Sequence, residues 1–151
     1  MLSANLAKVP TDGSSDDQKM QSIGIPAGMM LPNFRIEIAC AFSKDSGAIA
    51  GTYRVRWGEN NDDTDAVIHE VAVAASTRSD KIQTDVFVVS NTSVSVTPTP
   101  NGNTVESTNV LPADVTIPDL SDTTTFITVY FEPAGATIME LVNCRMTLQA
   151  L

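Results

Sequence analysis

The side chains of this sequence that could do chemistry are one histidine, two cysteines, an acidic run and a pair of arginines. His69 is the only histidine, and imidazole is the usual general base near neutral pH. It shares a strand face with Val67, Val71 and Val73, which points instead to a hydrogen-bonded, partly buried ring. A serine nucleophile of the hydrolase kind needs a Gly-x-Ser-x-Gly turn, and the chain has none. Cys40 and Cys144 are compatible with a Cys-His pair by spacing, but nothing around them recommends one. Both fall on apolar faces of expected strands and read as buried reduced thiols. They lack metal-site spacing, and a disulfide between them requires adjacent strands and an oxidising compartment.

The carboxylates Asp62, Asp63 and Asp65 offer oxygen to a cation, yet the glycine and closing glutamate of an EF-hand loop are missing. A solvated acidic loop is expected there, and the run Asp12, Asp16, Asp17 is a weaker candidate still. No glycine-rich phosphate cradle occurs. Arg54 and Arg56 form too small a basic stripe for nucleic acid and are expected to pair with carboxylates across a sheet or at a subunit contact. No catalytic, cofactor or metal site is therefore expected, and the chain does not read as an enzyme.

Composition agrees. The net charge of -9 over 151 residues disfavours nucleic acid and anionic membrane surfaces as partners. No apolar run is long enough to span a bilayer, and the N-terminus lacks the layout of a secretion signal.

The elements that must position these groups read as strands. From Asn33 to Phe42, the residues Phe34, Ile36, Ile38, Cys40 and Phe42 alternate with Arg35, Glu37, Ala39 and Ala41, the period of an extended chain. Thr52 to Trp57 repeats the pattern, with Tyr53, Val55 and Trp57 on the apolar face. These eight apolar residues are the expected core, gathered around the single tryptophan. Further strands are expected at Ser22–Ile25, Ala66–Ala74, Ile82–Ser90, Thr123–Glu132 and Thr137–Leu148, the last with Ile138, Val142, Cys144, Met146 and Leu148 facing inward. About eight strands with many turn signals predict an all-β protein, an antiparallel β-sandwich of jelly-roll type. The sandwich is expected over 22–151, preceded by an extended N-terminal arm over 1–21. In that arm Leu2, Leu6 and Val9 stand at helical spacing before Pro10. The arm reads either as a loose terminus or as a segment that docks on a neighbouring subunit.

The run Ile23-Gly24-Ile25-Pro26-Ala27-Gly28-Met29-Met30 followed by Asn33-Phe34-Arg35-Ile36 resembles the opening of small β-sandwich modules in virion proteins of tailed bacteriophages. Gly51-Thr52-Tyr53-Arg54-Val55-Arg56-Trp57-Gly58 is similar to a later strand of theirs, and Phe126 to Leu148 to their last hairpin. Trp57 and the acidic run after it depart from that pattern. The resemblance implies a virion structural protein assembled in the host cytoplasm. Its first form is a capsid decoration (cement) protein, a homotrimer bridging subunits of the major capsid protein. A receptor- or glycan-binding module of a head or tail fibre is the alternative, limited by the few aromatics available, Tyr53, Trp57 and Tyr130.

Overall fold

The computed structural model describes residues 9–10, 16–29, 32–44, 50–74, 79–99, 114–135 and 138–151. The chain forms strands β1 (Val9–Pro10), β2 (Gln18–Ile25), β3 (Phe34–Lys44), β4 (Gly51–Gly58), β5 (Ala66–Val73), β6 (Ser79–Ser90), β7 (Ser93–Thr99), β8 (Val115–Thr116), β9 (Thr125–Pro133) and β10 (Met139–Ala150). One sheet has the order β1-β10-β3-β6-β7-β8 and the other β2-β9-β4-β5, with every pairing antiparallel. Setting aside β7 and β8, the remaining strands are divided between the sheets in the jelly-roll order: first, last, third and sixth in one, second, seventh, fourth and fifth in the other.

That order corrects the reading of the N-terminus. Val9 pairs with Leu141 and Pro10 with Glu140 of the same chain, so this part of the extended arm is the first jelly-roll strand rather than a loose terminus or a segment docked on a neighbour. The second strand begins at Gln18, not Ser22, and buries Met20. Leu2 and Leu6 lie outside the described residues.

Period-two alternation becomes burial directly in β3 and β4. Ile36, Ile38, Cys40 and Phe42 are buried and Phe34 partly so, while the residues between them face outward. Tyr53, Val55 and Trp57 are fully buried from the opposite sheet. Phe42 meets Phe131 edge-on at 5.4 Å between ring centres, and Phe131 meets Tyr53 at 5.5 Å. Trp57 donates its Nε1–H to Thr125 Oγ1 at 2.8 Å, which satisfies the only polar atom of the buried indole.

In β10 and β5 the departures from simple alternation come from irregularities in register. Between Leu141 and Asn143 the β10–β3 ladder slips, because Val142 is an extra residue with no counterpart in β3. Leu141 therefore points into the core, while Val142 and Ile138, both expected inside, are exposed. In β5 the slip opposite Val55 and Arg56 makes Ile68 the extra residue, and Ile68 and His69 are both buried. Pro98 lies within β7, where β8 pairs only with Ser93 and Val94, so among the described residues its missing N–H breaks no ladder bond on that side.

Replacing Trp57 with alanine removes a fully buried indole and its hydrogen bond. A loss of about 3–5 kcal/mol in urea unfolding, followed by far-ultraviolet circular dichroism, is expected. The native protein should show the blue-shifted emission of a buried tryptophan; native emission already at the exposed wavelength contradicts this placement.

Candidate functional site

His69 lies inside the sandwich, 2% exposed, with Nδ1 2.6 Å from Thr84 Oγ1. Thr84 also faces the Tyr53 hydroxyl, which donates to Cys40 Sγ at 3.7 Å. Cys40 contacts Cys144, its register partner on β10. A buried polar chain thus runs His69–Thr84–Tyr53–Cys40–Cys144, drawing one residue each from β5, β6, β4, β3 and β10. Tyr53 and Thr84 were not legible as members of it, since each reads as an ordinary strand residue. The proton of the His69–Thr84 hydrogen bond sits on Nδ1 or on the Thr84 hydroxyl according to the imidazole tautomer. Nε2 has no partner among the described residues.

These groups are held in their neutral forms. Burial lowers the His69 pKa to about 4, and it pushes the Tyr53 hydroxyl and the Cys40 thiol well up. A general base of that pKa, sealed from solvent, is poorly placed to take a proton from a substrate near neutral pH.

The acidic loop is built around Asp65, which is buried rather than solvated. Its carboxylate accepts from the backbone N–H of Asn60 at 3.0 Å and of Asn61 at 2.8 Å, while its carbonyl accepts from Arg56 Nη1 at 2.9 Å. The carboxylate fills the space beside Gly58, where a Cβ would collide with it. Asn61, in the left-handed region at φ 58°, carries the turn, and its side-chain oxygen receives Ser22 Oγ at 2.6 Å. Asp62 is exposed and accepts from both the N–H and the hydroxyl of Thr64, which lower its pKa. Asp62, Asp63 and Asp65 therefore do not converge, and no group of carboxylate, thiol and imidazole suited to a metal occurs among the described residues.

Arg54 and Arg56 project from the outer face of β4 into carboxylates of their own chain. Arg54 bonds Glu70 at 2.6 Å and Glu132 at 2.5 Å, and lies 3.3 Å from Asp17. Arg56 bonds Asp17 at 2.9 Å and covers the ring of Tyr130, its guanidinium carbon 5.5 Å from the ring centre. Burial, aided by the charge of Asp63, raises Tyr130 to about 12. Asp17, read from the sequence as part of a weak acidic run in the arm, is thus a partner for both arginines, and the pair presents no free basic stripe.

The opposite outer face holds a recess of about 260 Å³. Ala39 and Ala41 of β3 form its low floor, with Lys81, Gln83, Asn143 and Arg145 around it. Small side chains between longer ones leave the depression, and the rim offers amide and cationic donors. Arg145 also bonds Glu37 at 2.9 Å. Tyr53, Trp57 and Tyr130 are all buried, so none of them is an exposed stacking platform.

No family model matches the chain, and no curated protein does. Among solved structures, the CBM2 module of the evolved Dit of Lactobacillus casei BL23 phage J-1 is similar at 10% identity, over 83% of this chain and 66% of that one, with a TM-score of 0.39.

The unfolded chain takes up a proton on His69 near pH 6.5, whereas the folded chain resists until about pH 4. Stability should therefore rise with pH between those values, and about 3 kcal/mol should be lost on acidification across the whole window. Urea unfolding between pH 7 and 4.5 checks this, and His69→Gln should flatten the slope there. Added EDTA should leave the melting temperature unchanged; a drop reversed by calcium would reveal a cation site.

Proposed function

We propose that this chain is a structural protein of a tailed-phage virion, a capsid decoration protein that stabilises the shell by bridging subunits of the major capsid protein as a trimer. The observation that carries this reading is β1. It is a two-residue strand delivered by the N-terminal segment, and it pairs with β10 only at Glu140 and Leu141. Beyond that point, from Asn143 to Ala150, no described residue pairs with this side of β10. An open antiparallel edge accepts another extended segment through main-chain hydrogen bonds, which is how strand-exchanging assemblies join. Exposed Ile138, Val142 and Leu151 lie along the same strand or at its end, giving such a segment apolar surface to cover.

The polar groups support a role in architecture rather than catalysis. The histidine, both cysteines and both arginines named above are engaged in holding strands together. The sequence likeness to phage β-sandwich modules, the acidic charge and the jelly-roll order fit a protein displayed on a particle. Assembly in the host cytoplasm belongs to the same proposal. A second reading, a glycan-binding module of a head or tail fibre, is favoured by the recess over Ala39 and Ala41 with its rim of hydrogen-bond donors. It would have to bind sugars without Tyr53, Trp57 or Tyr130.

Deleting Met1 to Lys8 leaves β1 and the Asp17 ion pairs in place. The truncated protein should keep its circular dichroism but lose trimer in size-exclusion chromatography with light scattering. Cryo-EM of virions containing the full chain should place the sandwich on the outer shell between capsid subunits. Density confined to the tail sinks the decoration reading, and glycan-array binding abolished by Asn143→Ala together with Gln83→Ala favours the second one.

A further inference from the structure

Cys40 and Cys144 stand 104 positions apart in the sequence, yet they are register partners on the antiparallel strands β3 and β10. Directly opposed residues in such a pair have Cα atoms about 4.5 or 5.5 Å apart, and both spacings lie inside the range that a disulfide spans. Both side chains point into the core, with Cys40 1% and Cys144 0% exposed, and they contact one another there. In this structure both are free thiols.

We propose that Cys40 and Cys144 are a redox modification site, closing to an intramolecular disulfide when the chain folds in an oxidising medium. With glutathione disulfide as the oxidant, one protein thiolate attacks a glutathione sulfur, forming a mixed disulfide and releasing one glutathione thiolate. The second protein thiolate then attacks the protein sulfur of that mixed disulfide, and the second glutathione leaves. Two protein thiols are oxidised, one glutathione disulfide is reduced, and the two protons given up by the protein thiols pass to the two departing glutathione thiolates, so atoms and electrons balance.

The same burial that holds the pair together sets when the reaction runs. Thiolate is the attacking species, and burial raises the Cys40 thiol well above its ordinary value, so the folded protein reacts slowly. During folding the thiols are still wetted and the pairing of β3 with β10 brings them together. Once formed, the bond ties β10 to the centre of its sheet and closes a loop covering most of the chain, which restricts the unfolded state. A protein folded in a reducing cell would carry two buried thiols, and one folded in an oxidising medium a covalent staple.

The full-length protein, reduced and unfolded, is refolded by dilution into mixed reduced and oxidised glutathione, and in parallel into excess dithiothreitol. The glutathione arm should give a monomer lighter by two hydrogens, with no thiol titratable in denaturant. A tryptic digest without reductant should join the peptide 36–44 to the peptide 82–145. Its melting temperature should exceed that of the dithiothreitol arm by on the order of 10 °C. Cys144→Ser should lose this gain. Two titratable thiols in the refolded monomer, a stable glutathione adduct or cross-linked dimers overturn the proposal, as does an equal gain in Cys144→Ser. Should that variant fail to fold, the peptide map of the unaltered protein decides by itself.

Discussion

The contact between Phe42, Phe131 and Tyr53 is what makes two sheets into one core. Phe42 belongs to β3, flanked by β10 and β6, while Phe131 and Tyr53 belong to the adjacent strands β9 and β4 of the other sheet. All three rings are buried, and aromatic edges meeting faces at these distances add specific attraction to the area removed from water. A chain with 5% aromatic residues has few such groups, so their alignment constrains how the sheets face each other. Trp57, Val55 and Ile38 extend the same packed layer.

Within that layer runs the polar chain from His69 to Cys144. Polar groups in a sandwich core are tolerated when each finds a partner, since an unmade hydrogen bond in low dielectric costs more than a made one contributes. Thr84 joins His69 across the two sheets, and the orphan of this network among the described residues is one nitrogen of a neutral imidazole, cheaper to bury than an unpaired charge. The network therefore lends specificity to the sheet pairing, at the cost of sensitivity to acid.

Outside the core, the charged residues of the β4 face are arranged to cancel. Arg54 and Arg56 take Asp17, Glu70 and Glu132 from three other parts of the chain, and Asp65 closes the adjoining loop on itself. Partly buried ion pairs of this kind fix strand order more than they add net stability. The β10 edge and the alanine-floored recess lie apart from this charged face, on the first sheet.

The strands were legible because the direction of a side chain on an extended backbone is a local property: alternating residues face opposite ways whatever the strand pairs with. That is why Ile36 to Phe42 and Tyr53 to Trp57, and with them the all-β sandwich, follow from sequence. The exceptions needed the fold. Val142 and Ile68 break alternation because each is an extra residue opposite a neighbouring strand, and neither slip leaves a mark in its own sequence. Asp65 looked like its exposed neighbours, but only the turn at Asn60 and Asn61 aims backbone N–H groups at it. Val9 read as part of a loose or outward-docking arm until β10 offered it an edge. That Cys40 faces Cys144 was decided by register between segments at opposite ends of the chain, where closure of the sandwich, not local preference, sets who meets whom.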